Sequence, residues 1–121
     1  ELDPGYSRPW TNLGGQALRE GRLDEALDYL RRATRVGPDN PVAWANLGNA
    51  LLRRSDPAAA VRAYRRATGL TPSVAALWRG LARAEQSNGQ RVAARHAIQR
   101  ALELAPHDPL SLALAQHLGG E

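Results

Sequence analysis

The chain contains no cysteine, methionine, phenylalanine or lysine. Without cysteine there are no disulfides, thiolate metal sites or thiol nucleophiles, and the compartment stays open between cytoplasm and periplasm. Without lysine, all 16 positive charges are arginines, set against 12 acidic residues for a net charge of +4. The excess is modest. It suits an acidic peptide, an anionic surface or nucleic acid, and an arginine-for-lysine, alanine-rich bias also follows from a GC-rich genome. No apolar run approaches the ~20 residues that span a bilayer, and the opening Glu1-Leu2-Asp3-Pro4 is no signal peptide. A length of 121 residues leaves room for one compact domain or one rod of stacked units. The apolar 43% is mostly Ala and Leu with few β-branched residues, a mixture that predicts an all-α fold.

What is present is a period. Trp10, Trp44 and Trp78, the only tryptophans, stand 34 residues apart. The same register holds Leu13, Leu47 and Leu81; Gly14, Gly48 and Ala82; Ala26, Ala60 and Ala94. It continues through Leu30, Tyr64 and Ile98, then Ala33, Ala67 and Ala101, then Pro38, Pro72 and Pro106. Repetition at a fixed period without insertion marks an array of stacked supersecondary units. Within a unit, Trp44, Leu47, Leu51 and Leu52 recur at three, four and seven, as do Ala60, Tyr64 and Ala67, so each unit is two amphipathic helices. Gly48 and Ala60 are small where the two helices must approach, with Trp44 and Tyr64 filling the space beside them. A buried Trp44 in that role would cost about 3–5 kcal/mol on truncation to Ala.

Punctuation agrees. Gly21, Ser55 and Gly89 mark the turn inside each unit, Asp56-Pro57 is an N-cap followed by a first-turn proline, and Pro38-Asp39-Asn40-Pro41 and Pro106-His107-Asp108-Pro109 end one unit and start the next. Helices are predicted at about 8–20, 24–36, 42–54, 57–70, 75–88, 91–104 and 109–118. The units are read as 7–40, 41–74 and 75–108, with 1–6 as a lead-in or the end of a preceding unit, and 109–121 as a capping helix or the start of a fourth. Pro4 lies one period before Pro38, which suggests that the array begins further upstream.

On Trp44-x2-Leu47-Gly48, Ala60-x3-Tyr64 and Pro72, the chain resembles the tetratricopeptide-repeat family. The resemblance implies a right-handed superhelix of antiparallel helix pairs, three units plus a C-terminal helix, with the first helix of each unit lining an inner groove. It implies a module that binds a peptide or helix in that groove, part of a larger protein, and no enzyme. The inward columns would be Arg8, Val42 and Ala76; Thr11, Ala45 and Arg79; Asn12, Asn46 and Gly80; Gly15, Asn49 and Arg83; Arg19, Arg53 and Ser87. The candidate groove residues are therefore Asn12, Arg19, Asn46, Asn49, Arg53, Arg79 and Arg83. Asn12 and Asn46 resemble the asparagine ladder of the O-GlcNAc transferase superhelix, whose amides bond a peptide main chain; Gly80 interrupts it. Family members that bind chaperone tails place basic, Asn, Asn, basic and basic residues where this chain has Thr11, Gly15, Asn46, Ala76 and Gly80. Only Asn46 matches, which argues against that two-carboxylate clamp, while Arg79 and Arg83 still suit an acidic partner.

Other chemistry finds little support. His96, His107 and His117 share no helical metal-ligand spacing. Ser7, Ser55, Ser73, Ser87 and Ser111 stand mostly at turns or helix starts, and Gly14-Gly15 lacks the context of a phosphate loop. No catalytic residue, metal or cofactor is implied. The outer Asp24, Asp28, Arg31, Arg32, Arg35, Arg62, Arg65 and Arg66 read as a solvated face, with Asp28 spaced to pair with Arg31 and Arg32. RNA binding is disfavoured because the inner face has no stacking aromatics. A structural or oligomerisation spacer without a groove ligand is the alternative function. On the last helix, Leu112 and Ala115 are expected to pack on the third unit, leaving Leu110, Leu114 and Leu118 as an apolar stripe for self-association.

Overall fold

The computed structural model describes residues 7–119. The lead-in expected at 1–6 lies outside the described residues, as do 120 and 121. Helices run in the order α1 Ser7–Arg19, α2 Leu23–Val36, α3 Pro41–Arg53, α4 Pro57–Leu70, α5 Ala75–Ser87, α6 Arg91–Leu104 and α7 Pro109–Gly119, each end within a residue of its expected place. There is no strand among the described residues.

Helices α3 and α4 begin where polar side chains meet unpaired amides. Asn40 Oδ1 accepts the amide of Val42 at 3.0 Å, and Asp56 Oδ1 that of Ala59 at 3.3 Å, each followed by a first-turn proline. The turn inside each unit needs a left-handed residue. Gly21 and Gly89 supply it at φ of 77° and 76°, and Ser55 does so at 63° despite its Cβ.

Within each unit the helices pair, α1 on α2, α3 on α4 and α5 on α6. The pairing distance is set by the small-residue column. A methyl group at Gly14 would lie 2.5 Å from Leu30, and one at Gly48 2.6 Å from Tyr64 Cε2. The Tyr64 ring also fills the space where Gly80, in the next unit, would carry a side chain. It therefore wedges between two units, which is the physical reason the asparagine column gives way to glycine at position 80. The core continues along the array through Leu27, Leu30, Leu47, Leu51, Tyr64, Leu81, Ile98 and Leu118.

The tryptophans are not core residues in the full sense expected. All three are half-buried. Trp44 and Trp78 donate their indole N–H to the carbonyls of Pro38 and Pro72, each at 2.8 Å. The guanidinium groups of Arg32, Arg66 and Arg100 lie over the rings of Trp10, Trp44 and Trp78 at 4.6, 4.9 and 5.3 Å. These arginines recur at the period of the tryptophans, so part of the outer basic face is a structural cation–π column.

Candidate functional site

The first helices touch one another along the array, α1 on α3 and α3 on α5, whereas α2 with α4 and α4 with α6 make no comparable contact. The stack therefore bends toward its first helices, and α1, α3 and α5 form the inner side. Two adjoining hollows lie between α1 and α3. One, of about 480 Å³, is lined by Arg8, Asn12, Asn40 and Val42 among others. The other, of about 330 Å³, is lined by Asn12, Gly15, Arg19, Val42 and Asn46.

Of the groove candidates, Asn12, Arg19 and Asn46 thus share one trough. Asn12, Asn46, Asn49 and Arg83 make no hydrogen bond or ion pair with any described residue. Their amide and guanidinium groups remain available at the inner face. Val42 and Leu110, in the Arg8 column, stay 56% and 63% exposed and add an apolar line to the same face.

Two expected groove cations are engaged elsewhere. Arg53 donates through Nη1 to the carbonyl of Leu18 at 2.8 Å, closing the C-terminal end of α1. Arg79 donates to Asp108 Oδ2 at 2.6 Å, and that carboxylate also accepts from the Ser111 amide and hydroxyl at 3.1 and 2.6 Å. These bonds, the Ser111 hydroxyl foremost, hold the Asp108 carboxyl below its usual range. The contact is a unit junction in disguise. Two junctions earlier in register, Asn40 Nδ2 donates to Ser7 Oγ at 2.8 Å and to Thr11 Oγ1 at 3.5 Å, and Thr11 precedes Asn40 by the same interval as Arg79 precedes Asp108. The helix column expected to face a ligand is at both places used to seat the next unit.

The expected self-association stripe is also divided. Leu118 is fully buried and Leu114 packs on the core, leaving only Leu110 of the three exposed, while Leu112, expected inside, is 47% exposed. The register explains this: Leu112 stands in the half-buried tryptophan column, and Leu118 in the column of the buried Ala50 and Ala84. Arg95 Nε closes the end of α7 by donating to the Leu118 carbonyl at 3.0 Å.

Buried charge occurs at Glu85, 3% exposed, whose Oε2 accepts from Arg65 Nη2 at 3.4 Å while Oε1 has no partner among the described residues. Burial pushes its carboxyl above the usual range, against the pull of Arg65 and His96. Burial likewise raises the Tyr64 phenol, opposed by Arg83 and Arg79. The Asp28 pairs expected with Arg31 and Arg32 do not form; Arg32 turns to Trp10 instead. His96, His107 and His117 are exposed, and among the described residues no group of three or more His, Cys, Asp or Glu could hold a metal. No described helix is long and apolar enough to cross a membrane.

Solved structures share this architecture. The first TPR domain of Spaghetti (RPAP3), bound to the HSP90 peptide SRMEEVD, superposes with a TM-score of 0.94 at 22% identity, over 98% of this chain and 94% of that one. The second TPR domain of human RPAP3, with the HSP70 peptide SGPTIEEVD, gives 0.91 at 18% identity over 98% and 100%. The TPR domain of Arabidopsis OM64 gives 0.91 at 15% over 97% of each chain. At these identities the likeness establishes the fold. No curated protein is significantly similar in sequence. The tetratricopeptide-repeat family model matches at residues 11–75 and again at 45–109. With most of the chain covered by that match and its helices paired unit by unit, the protein belongs to the tetratricopeptide-repeat family.

Proposed function

We propose that the chain is a protein-binding module that holds an extended peptide along the inner side of α1, α3 and α5. The observation that carries this reading is the pair of unpaired amides, Asn12 and Asn46, facing a trough beside Arg19, with Asn49 and Arg83 also unpaired on the inner helices α3 and α5. Each amide can donate to and accept from a peptide main chain. Arg83 gives the groove a preference for acidic peptides that weakens as salt rises. The Val42 and Leu110 line offers apolar contact to alternate side chains. Two of the structural relatives hold acidic peptides, SRMEEVD and SGPTIEEVD. Here the positions that would clamp a terminal carboxylate pair are Thr11, Gly15, Ala76 and Gly80, with only Asn46 in keeping. Main-chain bonding with a diffuse acidic preference therefore replaces a terminal clamp.

A pull-down with the chain, compared with the Asn46→Ala/Arg83→Ala variant, tests this. Loss of the same partner from a variant that melts as the parent does is the expected result. Retention of that partner would move the binding surface off the groove.

A further inference from the structure

The outer side of the array holds a cleft of about 730 Å³ between α2 and α4. Its floor is apolar, Trp44, Leu47 and Leu51 of α3, and its walls carry Arg31 of α2 with Arg62, Arg65 and Arg66 of α4, of which Arg65 is already paired with Glu85. Arg66 covers the Trp44 ring at 4.9 Å. The Arg31 and Arg62 guanidinium groups have no hydrogen-bond or ion-pair partner among the described residues. Asp56, the one acidic residue of the lining, is committed to the Ala59 amide at the start of α4.

The same columns one unit further on show what this arrangement of arginines accepts. There Arg31 becomes Arg65, Arg62 becomes His96 and Leu51 becomes Glu85. Glu85 sends a carboxylate back to Arg65 at 3.4 Å. The third unit thus supplies from its own floor the anion that its neighbour's arginine receives. The second unit has leucine at that place and supplies none.

We propose that the cleft between α2 and α4 is a second docking site, for an acidic peptide segment that lays an aliphatic or aromatic side chain on Trp44, Leu47 and Leu51 and sets its carboxylates at Arg31 and Arg62. An apolar floor under a cationic rim matches that chemistry in both charge and polarity. Bare phosphate or nucleic acid would use the rim and leave the floor wet. The site lies on the opposite side of the array from the inner groove, so one chain can hold two partners, or two segments of one partner.

The test is a 15N NMR titration of the full chain with a blocked peptide of alternating Glu and Leu, following the Trp44 indole N–H. That signal should move while those of Trp10 and Trp78 stay, and Arg31→Gln, a change at an exposed side chain, should weaken binding by about tenfold. Leu51→Glu installs beside Arg31 the carboxylate that Glu85 places beside Arg65, and should abolish the Trp44 response. Glu85→Leu should free Arg65 and bring the Trp78 indole into the titration. Asn46→Ala/Arg83→Ala should leave the Trp44 shift unchanged, which separates this cleft from the inner groove. Should Leu51→Glu lose its helical circular dichroism, the Arg31→Gln result decides alone. A motionless Trp44 indole would overturn the proposal, as would an Arg31→Gln chain that binds like the parent. So would an equal response to the same peptide with Gln for Glu, or to oligouridylate.

Discussion

The second and third units are laid on one template and fill it differently. In the second, Gly48 faces Tyr64, Leu51 floors the outer cleft and Ser55 makes the turn; in the third the same columns hold Ala82, Ile98, Glu85 and Gly89. The helix pair is conserved between them because the small and large residues change together. Tyr64 demands glycine at Gly48 and at Gly80, as Leu30 does at Gly14, whereas Ile98 accepts Ala82. The columns that change independently, Leu51 to Glu85 and Ser55 to Gly89, alter charge and strain without altering the pairing. The template thus fixes spacing and leaves the surface and its electrostatics to each unit.

The largest effect should come from the ring that spans two units. Tyr64→Ala should destabilise by about 3–5 kcal/mol in a urea melt, because the cavity opens against both Gly48 and Gly80. Trp44→Ala should fall below that range, since its ring is only partly buried and is covered in part by the Arg66 guanidinium rather than by core. Equal losses would mean that the wedge is not shared between units. Next in size, Gly48→Ala should cost about 1–3 kcal/mol by crowding Tyr64, whereas Gly69→Ala, with open space around its Cβ, should gain about 0.5–1 kcal/mol from helix propensity. If both variants gained, the close approach at Gly48 would be wrong.

Glu85→Leu makes the third unit like the second and should stabilise by about 1–2 kcal/mol near neutral pH, by removing a buried and half-satisfied carboxylate. The sign of the pH dependence follows from its raised pKa. The folded state holds the proton above the unfolded value, so Glu85 favours folding below its ordinary 4.5 and loses that contribution as pH rises through the folded pKa. Asp108 acts in the opposite sense, adding stability above its ordinary 3.8 that is lost as pH falls through its lowered pKa. The Leu variant should remove the first slope and keep the second. A melting series that shows the same pH profile in parent and variant would contradict this. As small as the Gly69→Ala gain, Ser55→Gly should stabilise by about 0.5–1 kcal/mol by relieving a left-handed φ that Gly21 and Gly89 adopt freely. A loss there would show that the Ser55 hydroxyl matters more than its backbone.

Periodicity made the fold legible, because a spacing of 34 and small, large and turn residues at fixed offsets are local and repeated. The inner face was legible only as a set of columns. Which groove side chains stay free depends on contacts between units, and these pair residues far apart in sequence: Arg79 with Asp108, Arg53 with the Leu18 carbonyl. A column read on one helix carries no trace of the cap that reaches it from the next unit. The arginine stacks on tryptophan did have a signal, since Arg32, Arg66 and Arg100 share the tryptophan period. The burial of Leu118 had one too, in the Ala50 and Ala84 column, once α7 is placed in register with the earlier first helices.

Calorimetric titration of a blocked, acidic, extended peptide into the parent chain and into Asn46→Ala/Arg83→Ala shows most directly whether the unpaired amides of the inner side hold an extended peptide. Loss of one neutral and one charge-assisted bond should weaken binding by about tenfold or more, with the melting temperature unchanged because neither side chain supports the core. Unaltered affinity in a variant that folds normally would place the peptide away from these amides.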